Sequence, residues 1–176
     1  MAEEAKKGLV MVYTGDGKGK TTAAVGQALR ALGHGYRVYM IHFMKGRDYG
    51  EFLAAEKLAQ LTIDRAGRDL FVKRGDPDPV DVELARDGFA RARKAIDSGE
   101  YDLVVLDEIN VAVDYGLIPL ADLLELVEQK PAAVDLILTG RAASPELVRR
   151  ADLVSEVLMI KHHYNEGVES RKGIEY

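Results

Sequence analysis

Apolar positions along the chain follow two rhythms. Short, nearly continuous apolar runs occupy residues 9–13, 36–44, 103–106, 134–138 and 153–160, with a shorter run at 61–65. Runs of this kind mark strands buried on both faces of a parallel sheet, and aromatic and β-branched residues strengthen the second. Between them the period changes. Over residues 19–32, Ala23, Ala24, Ala28, Leu29 and Leu32 recur at helical spacing, and Gly33 stands where a C-cap is wanted. Residues 51–58 predict a short helix. A longer one is predicted over 80–98, with Pro79 in its first turn and Gly99 at its end, and another over 120–129 behind Pro119. Ser144 is suited to cap a short helix, with Pro145 at its first position and Glu146 in its first turn. Strands alternating with helices predict an α/β fold: a mainly parallel sheet of about six strands, right-handed crossovers and helices on both faces. No repeat, low-complexity segment or linker divides the 176 residues, so one domain over 1–176 is expected. Residues 1–7 read as a polar tail.

The first strand runs directly into Gly15-Asp16-Gly17-Lys18-Gly19-Lys20-Thr21-Thr22, which opens the first helix. A strand, a glycine-rich turn and Lys-Thr at a helix start is the layout of a phosphate-binding loop. Small residues let the backbone curl with N–H groups inward, and the helix start adds roughly half a positive charge. Lys20 can reach outer phosphates, and the Thr21 hydroxyl can ligate the accompanying magnesium. The common spacing, G-x-x-x-x-G-K-[ST], places a glycine where this chain has Thr14, so the loop is one residue tighter. About ninety residues later Leu103-Val104-Val105-Leu106 runs into Asp107 and Glu108. A buried strand delivering an acid to the metal beside the phosphates is the second nucleotide motif. One of two adjacent carboxylates can face the metal while the other orients ligands. Together the motifs predict an α/β fold of the P-loop nucleotide-binding, RecA-like kind.

Other residues have two readings. Lys45 and Arg141 each follow a strand, where an open parallel sheet holds its ligands, yet each could equally be an exposed loop cation. Residues 67–79 set Arg68, Lys73 and Arg74 around Leu70, Phe71 and Val72, and could cover a flat ligand or tuck down as an anchor. His34 sits in a turn and is assigned nothing. His162 and His163 lack the i, i+4 spacing of helical metal ligands, and residues 161–176 read as an exposed tail.

Composition narrows the function. Net charge of -5 argues against a general nucleic-acid binder. Absence of cysteine removes disulfides, thiolate metal sites and a cysteine nucleophile. Residues 1–7 lack the apolar core of a signal peptide, and no apolar run is long enough to span a bilayer, so a cytoplasmic protein is expected.

From about residue 9 onward, Gly15–Thr22, Phe43-Met44-Lys45-Gly46, Leu106-Asp107-Glu108, Leu138-Thr139-Gly140-Arg141 and the ending Gly173-Ile174-Glu175-Tyr176 resemble the CobA-type ATP:corrinoid adenosyltransferases. The shortened loop and the Lys-Gly-Ile-Glu-Tyr ending are the specific parts. The resemblance implies transfer of the 5′-deoxyadenosyl group of ATP to the Co(I) of a corrinoid, with release of triphosphate. It implies ATP lying reversed along the loop, Mg2+ or Mn2+ as cofactor, a homodimer, and an electron donor such as a flavodoxin-type reductase. In that frame residues 15–22 and Lys20 neutralise the leaving triphosphate, Thr21 and Glu108 hold the metal with Asp107 as ligand or orienter, and Arg141 contacts ATP. Longer members carry an N-terminal extension over the partner's site and an aromatic pair, including a tryptophan, that displaces the corrinoid's lower ligand. This chain has no tryptophan, and Leu70-Phe71 or Phe89 is the nearest candidate. The alternatives are a P-loop kinase that transfers the γ-phosphoryl group to a small molecule, and a carrier that binds ATP or corrinoid without turnover.

Overall fold

A computed structural model describes residues 7–46, 49–70 and 72–176. Residues 1–6 of the expected tail, and Phe71, lie outside the described residues. In chain order the elements are β1 (Val10–Thr14), α1 (Lys20–Gly33), β2 (Val38–Phe43), α2 (Gly50–Ala55), β3 (Leu61–Ala66), α3 (Pro79–Asp97), β4 (Leu103–Asp107), α4 (Ile109–Asp114), α5 (Leu120–Gln129), β5 (Asp135–Thr139), α6 (Pro145–Arg150) and β6 (Leu153–Glu156), followed by a 3-10 turn over His163–Glu166. The strands form one six-stranded sheet in the order β3-β2-β4-β5-β1-β6. Every adjacent pair is parallel, as the continuous apolar runs predict.

Side chains alternate across each strand, so β4 serves two cores. Leu103 and Val105 point to one face, where Ala24, Ala28 and Ala31 of α1 pack on Met40 and Ile137. Three alanines give that helix a flat contact stripe and bring its N-terminus down beside the strand ends. Val104 and Leu106 point to the other face, against Phe89, Ile96, Ile109 and Leu123. Each fully buried leucine there contributes about 1.5–3 kcal/mol. A charge at Val105 would have no partner on either side and would break the sheet's centre.

Helix ends follow their residues. Ser144 caps α6 by accepting from the Leu147 N–H, as expected, and Asp78 does the same for α3 toward Val80. Two elements differ from the expected pattern. α4 was not foreseen, because its six residues show less than two turns of periodicity; Glu108 precedes it in the left-handed region at φ 62. The last strand stops at Glu156, not at 160, and all four of its residues are exposed at the sheet edge. Beyond it Val157 turns to the glycine loop, accepting from the Gly17 N–H at 2.7 Å.

Because all strands are parallel, the segments after β1, β2, β4 and β5 emerge at one end of the sheet. That end carries residues 15–22, Lys45, Asp107 with Glu108, and Arg141.

Candidate functional site

The glycine loop leaves α1 open at its start. Gly19 is the N-cap at φ 123, a conformation that suits glycine, and no side chain caps the helix. The first-turn N–H groups therefore face outward with the positive end of the helix dipole. Gly17 is needed for a different reason: a Cβ there would sit 2.6 Å from the Leu158 carbonyl oxygen. Inside the loop, buried Lys20 turns back and donates from Nζ to the carbonyls of Gly15 (2.7 Å) and Gly17 (2.6 Å). Burial draws this ammonium's pKa down.

Behind the loop the Asp107 carboxylate is buried and fully engaged. Oδ1 accepts from the Thr21 hydroxyl at 2.9 Å and the Thr139 hydroxyl at 2.6 Å, and Oδ2 bonds His42 Nδ1 at 2.8 Å and Lys45 Nζ at 2.7 Å. Burial works against its charge, but the His42 hydrogen bond and the Lys45 ammonium outweigh it and hold the pKa far below the usual carboxylate range. For Lys45 the balance is the mirror image: burial opposes the ammonium, Asp107 overrides it, and the pKa rises. Because Oδ2 can only accept, His42 Nδ1 carries the proton in that contact. Nε2 is then buried without a hydrogen-bond partner, the Glu51 carboxylate standing 3.9 Å away.

Glu108 differs from its neighbour. Its backbone N–H donates to Thr139 Oγ1 at 2.9 Å. Its side chain lines the cavity. Burial, with the Asp107 charge adding to it, pushes its pKa up. Of the two adjacent acids, Asp107 ties β4 to the loop and Glu108 presents an oxygen to the open space.

That space is a cavity of about 530 Å³ lined by Gly17–Thr22, Val25, Lys45, Tyr49–Glu51, Ala54, Glu108 and Arg141, and by His162 and Gly173–Tyr176. Of the sequence-predicted set, Gly17, Lys18, Gly19, Lys20, Thr21, Thr22, Lys45, Glu108 and Arg141 meet at this cavity; Gly15, Asp16 and Asp107 do not line it. Lys45 lies between Asp107 and the Tyr49 ring, whose centroid is 5.0 Å from Nζ. The tail is mostly exposed, as its sequence suggested, and its residues 173–176 also line the cavity beside the loop. Phe89 is 8% exposed within the core and is not available to a corrinoid, whereas Leu70 is 63% exposed. Val72 packs on the core, the anchor alternative, and Arg68 forks onto Asp81 at 2.7 and 2.8 Å.

Sequence reasoning missed His42 and the role of Thr139. The signal was present: a lone histidine inside Val38–Phe43, a strand read as buried, has to find a polar partner.

An open parallel sheet with a Lys-Thr glycine loop at an uncapped helix and an acid at the end of a central strand defines a protein of the P-loop, RecA-like fold. Solved structures agree on the fold. The RadB recombinase superposes with TM-score 0.57 at 16% identity, covering 89% of this chain and 77% of that one. A KaiC-like protein of Pyrococcus horikoshii OT3 gives 0.55 at 19%, covering 89% and 75%. The family follows from sequence: the model for ATP:corrinoid adenosyltransferase BtuR/CobO/CobP matches residues 6–176, and the chain belongs to that family. Corrinoid adenosyltransferases of Escherichia coli K12 and Pseudomonas aeruginosa are 33% and 31% identical, each over 97% of this chain and over 87% and 85% of their own lengths. An uncharacterized Nostoc protein is 36% identical over 95% of this chain, which spans 48% of its length.

Proposed function

We propose that the protein transfers the 5′-deoxyadenosyl group of ATP to a reduced corrinoid. The observation that carries this is family membership over residues 6–176, a span that includes every residue lining the cavity. The cobalt's electron pair forms the bond to the ribose 5′-carbon, the carbon–oxygen bond breaks, and its pair leaves with triphosphate. The nucleophile carries no proton, so no general base is required. What the reaction does require is neutralisation of the leaving polyphosphate in a preorganised site. Lys20, Lys18, Arg141 and the uncapped start of α1 supply positive charge around the cavity.

The donor set fits a hard divalent cation. Thr21 offers a hydroxyl and Glu108 a carboxylate, both oxygen ligands of the type magnesium takes alongside phosphates. Mg2+ or Mn2+ there would neutralise phosphate charge and favour its departure. Asp107, with both oxygens occupied, is better suited to orienting Thr21 than to ligating metal directly. Lys45 holds Asp107 and borders the same space.

The same reading places the protein in the cytoplasm, as a homodimer that receives electrons for cobalt from a flavodoxin-type reductase. Exposed Leu153 and Val154 on edge strand β6 offer a surface for a second copy. Among the described residues no helix is long and apolar enough to cross a membrane.

The test is anaerobic: protein, magnesium-ATP and chemically reduced corrinoid are mixed and the phosphate product identified. Triphosphate with a new light-sensitive corrinoid spectrum is the expected result. ADP would establish a kinase, and binding of both substrates without turnover a carrier.

A further inference from the structure

The tail is folded around one side chain, Glu175. Glu175 directly precedes Tyr176, and its side chain is 11% exposed. Arg171 reaches it through the backbone N–H at 2.7 Å and through the guanidinium at 3.3 Å. His163 Nε2 is 3.5 Å from the same carboxylate, and Lys18 Nζ is 4.0 Å away. Lys18 also donates to the Ile174 carbonyl at 3.4 Å. One carboxylate thus gathers basic groups from the phosphate loop, the 3-10 turn and the tail, while residues 173–176 form one wall of the cavity. The loop's other side rests on Val157 and Leu158, so residues beyond β6 both back the loop and cover it.

We propose that residues 173–176 are part of the ligand site: a strap that Glu175 holds to Lys18 and that retains the polyphosphate of a nucleoside triphosphate against the glycine loop. The polyphosphate end is specified because the strap's contact is with Lys18, between Gly17 and Gly19, and because Lys18 and Arg171, both gathered by Glu175, are cationic. A carboxylate this close to a phosphate site would repel the ligand if it stood alone. Surrounded by Arg171, Lys18 and His163, it instead fixes their positions. This rests on the nucleotide assignment above and adds to it a substrate contact outside the loop and the β4 acids.

Calorimetric titrations separate the two ideas. Magnesium-ATP and inorganic triphosphate are titrated into the full chain, into a variant lacking residues 173–176, and into Glu175→Gln. Affinity for both ligands is expected to fall about tenfold in the shortened chain and about threefold in Glu175→Gln, with the thermal midpoint of Glu175→Gln unchanged. If the shortened chain does not fold, Glu175→Gln decides alone. Unchanged or tighter binding of triphosphate in Glu175→Gln overturns the strap, as does a loss confined to ATP. Should the unaltered chain bind neither ligand, the nucleotide assignment falls and takes the strap with it.

Discussion

The two sides of the cavity are built on different physical terms. On the loop side, Thr21, Thr139, His42 and Lys45 all bond Asp107 in one cluster in which His42, Asp107 and Thr139 are buried, and buried Lys20 beside it holds the loop carbonyls of Gly15 and Gly17. On the other side, residues 161–176 are mostly exposed and held by ion pairs such as Lys161–Glu166, Lys18–Glu175 and Arg171–Glu175. Buried networks of this kind fix geometry, because losing one member strands the rest. Exposed pairs contribute about 0–1 kcal/mol each and let a segment move. A polyphosphate needs the first kind of surface, since charge must be met at set distances. Rigidity is therefore concentrated where the glycine loop meets the end of β4, and the tail side is held more loosely.

The largest effect is expected from Lys20→Ala, which removes the loop's internal cation; turnover measured as triphosphate release should fall by about 10²–10³-fold or more. Glu108→Gln should lose about 10²-fold in activity while stabilising the ligand-free protein, because burial and Asp107 both disfavour its charge. Each kcal/mol relieved raises the melting midpoint by roughly 2–4 °C in a chain of this size. A fall in midpoint would place Glu108 in the supporting cluster instead.

Asp107→Asn should cost about 3 kcal/mol in urea unfolding, because Lys45 and His42 would face an uncharged amide. The pH dependence has a definite sign. Asp107 is shifted down in the folded state, so its stabilisation is present above the unfolded value of about 4 and is lost as pH falls below it. Urea midpoints measured from pH 6 to 3 should therefore drop more steeply for the unaltered protein than for Asp107→Asn. Lys45→Ala is expected to weaken magnesium-ATP binding about tenfold and to destabilise by about 1–3 kcal/mol together, since one ammonium both holds Asp107 and borders the cavity. The smallest effect belongs to Arg141→Ala: an exposed side chain, whose loss should raise the ATP dissociation constant about threefold and leave the melting midpoint alone.

What could be read from the sequence matches this division. The loop, the acids of β4 and the strand runs were legible because local rules govern them: glycine spacing, a helix start, an apolar stretch ending in carboxylates. Ser144 and Pro145 likewise announced α6. His42 was hidden by its surroundings, since a histidine inside a strand declares a partner without naming it, and Asp107 lies 65 residues away. Helix α4 was too short for periodicity to reveal. The tail escaped for another reason. Residues 173–176 carry no periodic pattern, and their place over the loop depends on contacts such as Lys18–Glu175 between distant parts of the chain.

Glu108 occupies a left-handed backbone conformation at φ 62, a place where a residue with a side chain sits at a cost of about 1 kcal/mol or more. Selection for heat tolerance would therefore drift toward glycine or asparagine at this site, removing the carboxylate that the proposed reaction assigns to the metal. A library screened by melting temperature alone would enrich such variants, so any campaign of that kind should hold position 108 constant or score activity beside stability.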